Sequence, residues 1–495
     1  MAHGALWSLL EKGGQQGLSF VVFMVLARLV GPEEYGLANI CFIYFSFAGL
    51  IVYGLVDGIV CLQIEDDLRL SSIFWAIVVL GILLSLFCVA TAAPLANYMG
   101  QPRLKGLLYW FSIVPFLVAL SSVPNMLLLK SMSFKIYAIR TLAATFIGGV
   151  VGLAMAFNGA GAYAIVAQQI ALFVVTNAVV WPSAGWRPKR TFQLRGLIKD
   201  IKPGFELMCS NVLGFLEGEF PRFIIGRFLG PTSLGHYAFV IRLRYALANA
   251  LIIPPLAVLY PAFTKINDDK EEQRAIAGKI ILLFGMILFP ALAIAIATAP
   301  LYVPLLFGKI WTPTIPLLQI FIFGLCYWPF QAIVFQLFRA HGRMRIYLTV
   351  NAVSVLASII MTFLIFLPNG LKLMAIGVVA FMSVMQAVFL IILQRQLDIN
   401  LWKYVMNLWP SAVTALCVFV VMEFFNQSGL FLTAPWVKLL VLLLLGSATG
   451  VLGTLLLQRK LLKDALRFGR ELLKKTDDSN TVLNAAPCFE CEKNV

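Results

Sequence analysis

Apolar segments of roughly twenty residues recur along the whole chain, separated by short polar segments. An α-helix needs about 20 apolar residues to cross a bilayer. We therefore predict an all-α integral membrane protein with about fourteen transmembrane helices. The predicted spans lie near 14–30, 36–62, 71–97, 106–129, 137–158, 160–182, 204–226, 234–263, 277–306, 314–338, 346–368, 373–394, 406–426 and 436–457.

One polar interruption occurs twice, with the pattern R-x-x-G-P-x-x-[YL]-G and an offset of 199 residues at every matched position. Each copy lies between two apolar segments. The matched residues are Arg28, Gly31, Pro32 and Gly36 in the first copy and Arg227, Gly230, Pro231 and Gly235 in the second. This indicates a duplicated membrane protein, and we expect the motif to form a short, tight turn between the first two spans of each half.

Six predicted spans separate the two copies, and an even number returns the chain to the same side of the membrane. The halves should then be parallel repeats related by a pseudo-two-fold axis along the membrane normal. The predicted organisation is a six-span bundle at 1–182, a basic cytoplasmic linker at 183–203, a second six-span bundle at 204–398, two added spans at 399–457, and a basic amphipathic and then disordered cytoplasmic tail at 458–495.

Composition supports the membrane interpretation. Hydrophobic residues make up 61% of the chain and charged residues 12%, and the mean hydropathy is +0.90, whereas soluble domains carry about 25% charged residues. The net charge of +15 fits basic cytoplasmic loops better than nucleic-acid binding. With both termini in the cytoplasm, 28 Lys and Arg residues fall on the cytoplasmic side and 7 on the outer side.

The sequence shows no enzyme motif and no metal-ligand set. There are three histidines, and HExxH, GxSxG and phosphate-loop patterns are absent. Cys488 and Cys491 form one CxxC pair in the tail, half of what a zinc site needs. We therefore expect neither catalysis nor a bound cofactor, although coupling to a proton or sodium gradient stays open.

Charged residues at membrane depth are the main candidates for function. The seventh span contains Glu217, Glu219 and Arg222, and the eighth contains Arg242 and Arg244. An ionised side chain at the centre of a lipid-facing helix costs about 2.5–3.5 kcal/mol or more. Two interpretations remain open, namely a cationic patch that holds an anionic substrate and internal salt bridges that only lock the helices together.

Two further considerations narrow these candidates. At helical spacing Arg242 and Arg244 face different ways, so at most one should point into a cavity. The carboxylates Glu217, Glu219 and Asp57 are candidates for ion coupling or ion pairing. Asp57 lies near the cytoplasmic end of its predicted span, where an ordinary interfacial carboxylate is the simpler interpretation.

The motif residues also carry a resemblance. The segment Ala27–Gly36, together with Ile225-Gly226-Arg227 and the following Gly230-Pro231, resembles the signatures of the polysaccharide exporters. These are the oligosaccharide flippases of the multidrug/oligosaccharidyl-lipid/polysaccharide superfamily, and the chain looks closest to the colanic-acid-exporter branch. That family usually has an Asp five residues before the Gly of the second signature. Here the position is Pro221, and Glu219 is the nearest acid.

The resemblance implies a transporter that flips an undecaprenyl-diphosphate-linked oligosaccharide across the bacterial inner membrane without ATP, for exopolysaccharide or lipopolysaccharide export. Its partners would be the bilayer, the lipid-linked oligosaccharide, and polymerase and export machinery. One alternative is a cation-coupled small-molecule exporter of the same superfamily, which should have fewer internal arginines. Another is a membrane polymerase or glycosyltransferase, which would need a long outer loop. The motif residues themselves are expected to be turns rather than substrate ligands.

Overall fold

The protein is described here by a computed structural model that covers residues 2–61, 66–131, 134–190, 197–252, 270–427, 434–459 and 461. Throughout these ranges every regular element is a helix. The first eight are α1 (Ala2–Cys61), α2 (Asp67–Met99), α3 (Pro102–Phe111), α4 (Ile113–Lys130), α5 (Phe134–Phe157), α6 (Ala162–Ser183), α7 (Leu197–Phe228) and α8 (Gly230–Leu251). The others are α9 (Lys270–Phe307), α10 (Ile315–Phe323), α11 (Trp328–Ala340), α12 (Met344–Met361), α13 (Gly370–Leu397), α14 (Trp402–Met406), α15 (Trp409–Gln427) and α16 (Pro435–Leu457).

The predicted fold class is confirmed. Eleven helical segments in the described ranges are long and apolar enough to cross a membrane. One of them, Glu11–Leu55, has 45 residues and consists of two helices joined at a kink at Gly31, so it is long enough for two spans of about 20 residues each. The charged helices α7 and α8 are not among the eleven. The count of fourteen spans stays a prediction.

The chain divides into two compact units, one within Met1–Gly235 and the other within His236–Asn480. In the first unit α1 packs along α5 and α7, α5 packs on α6, and α2 packs on α4. Small residues allow close approach, as where Gly149 lies against Val22 and Gly81 against Ala119. This packing holds α7, which carries three of the candidate charges, directly against α1.

In the second unit the long helix α9 packs against α15 and α16. Their shared core consists of Ala293, Ala297, Val418, Met422 and Leu442. Apolar side chains, including those of Ile294, Leu301 and Phe419, pack against this core. The two last predicted spans are thereby anchored on α9.

Two predicted spans are interrupted by proline. The span predicted at 106–129 is split at Ser112 into α3 and α4, because Pro115 has no N–H to donate to the carbonyl of Phe111 one turn earlier. The span predicted at 314–338 is split by a 3₁₀ turn, Gly324–Tyr327, just before Pro329. Hydropathy alone did not separate these segments, because both halves of each span are apolar.

Candidate functional site

The repeated motif has the same backbone geometry in both copies, as a duplication predicts. Gly31 has φ 79° and Gly230 has φ 82°, a left-handed conformation that favours glycine. Pro32 and Pro231 follow directly and belong to the next helix, where a proline in the first turn loses no hydrogen bond. The expected short turn is thus reduced to a near-continuous junction, because the left-handed glycine alone turns the chain enough for the next helix to begin.

The two copies pack against each other within the first unit. A Cβ atom on Gly36 would overlap the carbonyl oxygen of Pro231 and lie 2.9 Å from the backbone nitrogen of Gly235. Conversely, a Cβ on Gly235 would overlap the carbonyl oxygen of Pro32. No side chain fits at either glycine, so the final glycine of the motif is required for a direct backbone contact between the two copies.

Glu34 of the first copy binds the N-terminal ends of two neighbouring helices. Its carboxylate pairs with Arg103 at the start of α3 and accepts a hydrogen bond from the backbone N–H of Ala162 at 2.8 Å. Ala162 is the first residue of α6, where a carboxylate is favoured by the helix dipole. These contacts give the first copy a structural role on the predicted outer side.

A polar cluster in the first unit joins α1 and α7. Arg222 Nη1 donates to both carboxylate oxygens of Glu219, at 3.0 and 3.1 Å, and Ser46 on α1 donates to Glu219 Oε1 at 2.9 Å. The side chains are 20% and 12% exposed for Arg222 and Glu219. Arg222 Nε is buried and has no acceptor among the described residues.

The motif arginine of the second copy lies against an aromatic ring. The guanidinium of Arg227 is 4.8 Å from the ring centre of Tyr98, and Tyr98 stacks on Phe223 with 6.1 Å between ring centres. Arg28, its counterpart in the first copy, is exposed. The two arginines therefore have different surroundings although their sequence positions match.

In the second unit Arg244 occupies an aromatic environment. Its guanidinium lies 5.3 Å from the ring centre of Trp328 and 5.9 Å from that of Phe321, and its Nη2 contacts the hydroxyl of Tyr327 at 3.4 Å. Within the part of the chain that the structure describes, Arg244 makes no ion pair. Cation–π contacts of this kind stabilise the charge by about 0.5–2 kcal/mol, which leaves the guanidinium able to bind an anion.

The other candidates are placed as follows. Arg242 is half-buried and Glu217 is exposed. The side chain of Asp57 lies outside the described residues. Within the described ranges, no three His, Cys, Asp or Glu side chains form a group that could hold a metal ion.

The structure thus brings Glu219 and Arg222 together and places Arg244 in a separate, aromatic setting. Ser46, Tyr98, Tyr327 and Trp328 were not identified from the sequence, because the contacts that give them a role cross between helices far apart in the chain. Of these four residues, Ser46 could have been noticed from the sequence, because it is a hydroxyl residue within a mainly apolar segment.

Arginines within the helices of a membrane protein are candidates for a functional site. The family model described as "Polysaccharide biosynthesis protein" matches residues 25–316. The chain belongs to this family, which confirms the resemblance drawn from the motifs.

Two similar proteins are named for polysaccharide transport or biosynthesis. The chain is 26% identical over 313 residues to the succinoglycan biosynthesis transport protein ExoT of Rhizobium meliloti, covering 63% of each chain. It is 26% identical over 332 residues to the lipopolysaccharide biosynthesis protein WzxC of Escherichia coli, covering 64% of this chain and 65% of the relative. The chain thus matches somewhat less than two thirds of these relatives.

Solved structures share the fold. The lipid II flippase MurJ, in an inward closed conformation, superposes with a TM-score of 0.74 over 92% of this chain and 100% of its own, at 14% identity. A multidrug resistance MATE family transporter of the MOP superfamily, in an inward-facing conformation, superposes with a TM-score of 0.55. The match covers 80% of this chain and 95% of the transporter, at 17% identity. These likenesses establish the architecture.

Proposed function

We propose that the chain flips a lipid-linked oligosaccharide from the cytoplasmic to the outer leaflet of the bacterial inner membrane, by alternating access and without ATP. The observation that carries this proposal is the environment of Arg244, a guanidinium within an apolar helix. Aromatic rings contact this guanidinium where a carboxylate partner would otherwise be expected. The names of the relatives, a succinoglycan transport protein and a lipopolysaccharide biosynthesis protein, agree with it.

The chemistry of the substrate matches this site. Guanidinium groups bind phosphate oxygens through paired, charge-assisted hydrogen bonds, which are strongest where water is scarce. A headgroup carried on undecaprenyl diphosphate offers such oxygens at the base of its glycan. Arg244 is the proposed diphosphate ligand, and Arg222 and Arg242 are the further candidates. A cation-coupled small-molecule exporter is disfavoured, because such a protein should have fewer arginines within its helices.

Several finer features belong to the proposal. Both termini are placed in the cytoplasm, and polymerase and export machinery are proposed as partners. The energy source is proposed to be a proton or sodium gradient, with Asp57, Glu217 and Glu219 as candidate carboxylates. No catalytic step is assigned to the chain.

The proposal is tested by replacing Arg244 with Ala in a strain that lacks its own copy of the protein. Surface polysaccharide should fall at least about tenfold, the effect of losing one hydrogen bond to a charged group. Arg244→Lys, which keeps the charge but loses the planar fork, should retain intermediate export. Arg345→Ala is the matched control, since Arg345 is exposed at the start of α12.

Protein abundance in the membrane must be equal for all variants. Normal export by Arg244→Ala at normal abundance would refute a substrate-binding role for Arg244. An equal loss in Arg345→Ala would show that the assay reports general sensitivity to charge rather than this site.

A further inference from the structure

The ion pair between Glu219 and Arg222 uses one nitrogen of the guanidinium. Arg222 Nη1 contacts both carboxylate oxygens, whereas Nε is buried without an acceptor among the described residues. Arginine recognises phosphate best through two nitrogens at once. The hydrogen bonds from Arg222 to Glu219 are therefore weaker than those that Arg222 could donate to a phosphate group through two nitrogens.

We propose that Glu219 is a built-in counter-ion that competes with the substrate's diphosphate for Arg222. This inference rests on the proposed function and adds a device that limits how tightly the substrate is held. With Glu219 in place the pair is neutral, so its attraction for an anion is reduced. When the substrate leaves, Glu219 takes its place, and a half-buried cation is never left without a partner, which would be strongly destabilising.

The position of the pair favours this exchange. Glu219 precedes Arg222 by three residues on α7, so the two side chains lie on neighbouring turns and re-form their contact after any rigid movement of the helix. Ser46 holds the carboxylate from α1 at 2.9 Å. Ser46 lies ten residues beyond Gly36 in the same helix, about 15 Å along its axis, which places the exchange deep within the membrane.

Ser46 is a positioning residue in this arrangement. Its hydroxyl donates to the same oxygen, Oε1, that Arg222 contacts, and it thereby restrains the carboxylate on the guanidinium. Removing the hydroxyl should make Glu219 easier to displace without removing its charge. Substituting Ser46 and substituting Glu219 should therefore both strengthen substrate binding, and the effect of Ser46 should be the smaller.

The test measures binding of undecaprenyl diphosphate to the full-length protein in lipid nanodiscs, followed by flipping in proteoliposomes. Glu219→Gln should bind at least about tenfold more tightly than the unmodified protein, the effect of one charge-assisted hydrogen bond. Its KM and kcat for flipping should both fall, because release becomes slower. Ser46→Ala should shift binding in the same direction by less.

Controls separate this inference from the proposed function. Glu33→Gln removes the same charge from an exposed motif position and should leave binding unchanged. The double variant Glu219→Gln, Arg222→Gln avoids an unpaired cation and should lose the gain in affinity. If Glu219→Gln and Ser46→Ala both bind equally or more weakly, Glu219 is only a structural partner and the inference is wrong. If the unmodified protein does not bind the probe, the proposed function itself fails.

Discussion

At the scale of residues, the charged side chains are distinguished by what stabilises them. Glu219 holds Arg222, the ring of Tyr98 lies under Arg227, and Trp328 lies under Arg244. A carboxylate partner must be displaced before an anion can bind, whereas an aromatic ring leaves the hydrogen-bonding edge of the guanidinium available. These arginines should therefore contribute unequally to substrate binding.

His341 gives a pH-dependent prediction outside the membrane-spanning helices. Burial, together with the positive charges of Lys270 and Arg343, lowers the pKa of His341, and its Nε2 lies 2.8 Å from Gln273 Oε1. The unfolded chain then takes up a proton at a higher pH than the folded protein. Folding stability should be unaffected above about pH 6.5 and decrease as the pH falls below it.

Thermal unfolding of the detergent-solubilised protein between pH 5 and 8 measures this effect. His341→Gln removes the titrating group, so its melting temperature should decrease less on acidification than that of the unmodified protein. Parallel curves for the two proteins would show that His341 does not titrate differently on folding.

The sequence identified Arg222, Arg244 and Glu219 as charges at membrane depth, because hydropathy makes any charge within an apolar segment conspicuous. It left open whether they form salt bridges, and it did not pair Ser46 with Glu219. Such contacts depend on how helices distant in the chain rotate against each other, which no local pattern encodes. The structure shows both expected behaviours, an ion pair at Arg222 and an unpaired cation, among the described residues, at Arg244.

At the scale of elements, the contact between α1 and α7 organises the first unit. The motif copies meet at Gly36 of α1 and Gly235 of α8, and the hydrogen bond from Ser46 to Glu219 joins α1 to α7. The glycine contact leaves no room for a side chain. The contact between α1 and α7 carries the ion pair of Glu219 and Arg222. Small residues at such crossings let helix backbones approach closely.

Gly36→Ala should destabilise the protein by about 1–3 kcal/mol, the range for inserting a group into a tightly packed site. Gly17→Ala, in the part of α1 before Gly31, is the control, because nothing lies within 4 Å of a Cβ there. That variant should be neutral or more stable, since alanine favours helix over glycine by about 1 kcal/mol. The readout is the thermal unfolding midpoint in detergent.

Gly235→Ala should destabilise to a similar extent. Because both substitutions disrupt one contact, the double variant should lose less than the sum of the two single losses. Strict additivity would indicate that the two glycines do not share an interface.

The positions of the helices were predictable from apolar runs, but their interruptions were not all found. The motif was expected to be a loop because glycine and proline are typical of turns. Here Gly31 supplies the break and Pro32 begins the next helix, so the same residues give a junction without a loop. The break near Pro329 was likewise hidden within apolar sequence.

At the scale of the whole molecule, the distribution of basic residues predicts which ends of the helices face the cytoplasm. Lys309 follows α9 on the predicted outer side, and Arg345 lies in the first turn of α12 on the predicted cytoplasmic side. Both side chains are exposed. They are therefore suitable positions for a direct test of orientation.

A membrane-impermeant maleimide should label Lys309→Cys in cells with a permeabilised outer membrane. Arg345→Cys should be labelled only after the inner membrane is opened. The unmodified protein measures background from the native cysteines. Labelling of both positions, or of Arg345→Cys alone, in cells with an intact inner membrane would contradict the predicted orientation.

The charges of α7 and α8 have a consequence for biogenesis. On translocon-insertion scales an Arg or Asp at the centre of a helix costs about 2.5–3.5 kcal/mol, so neither helix is favourable to insert singly. Leu229 is the one residue between them, so the two helices follow each other directly in the chain. We expect the two helices to enter the bilayer together, guided by the helices of the first half already inserted. The residues that equip the protein for an anionic substrate would thereby also set the order in which its segments leave the translocon.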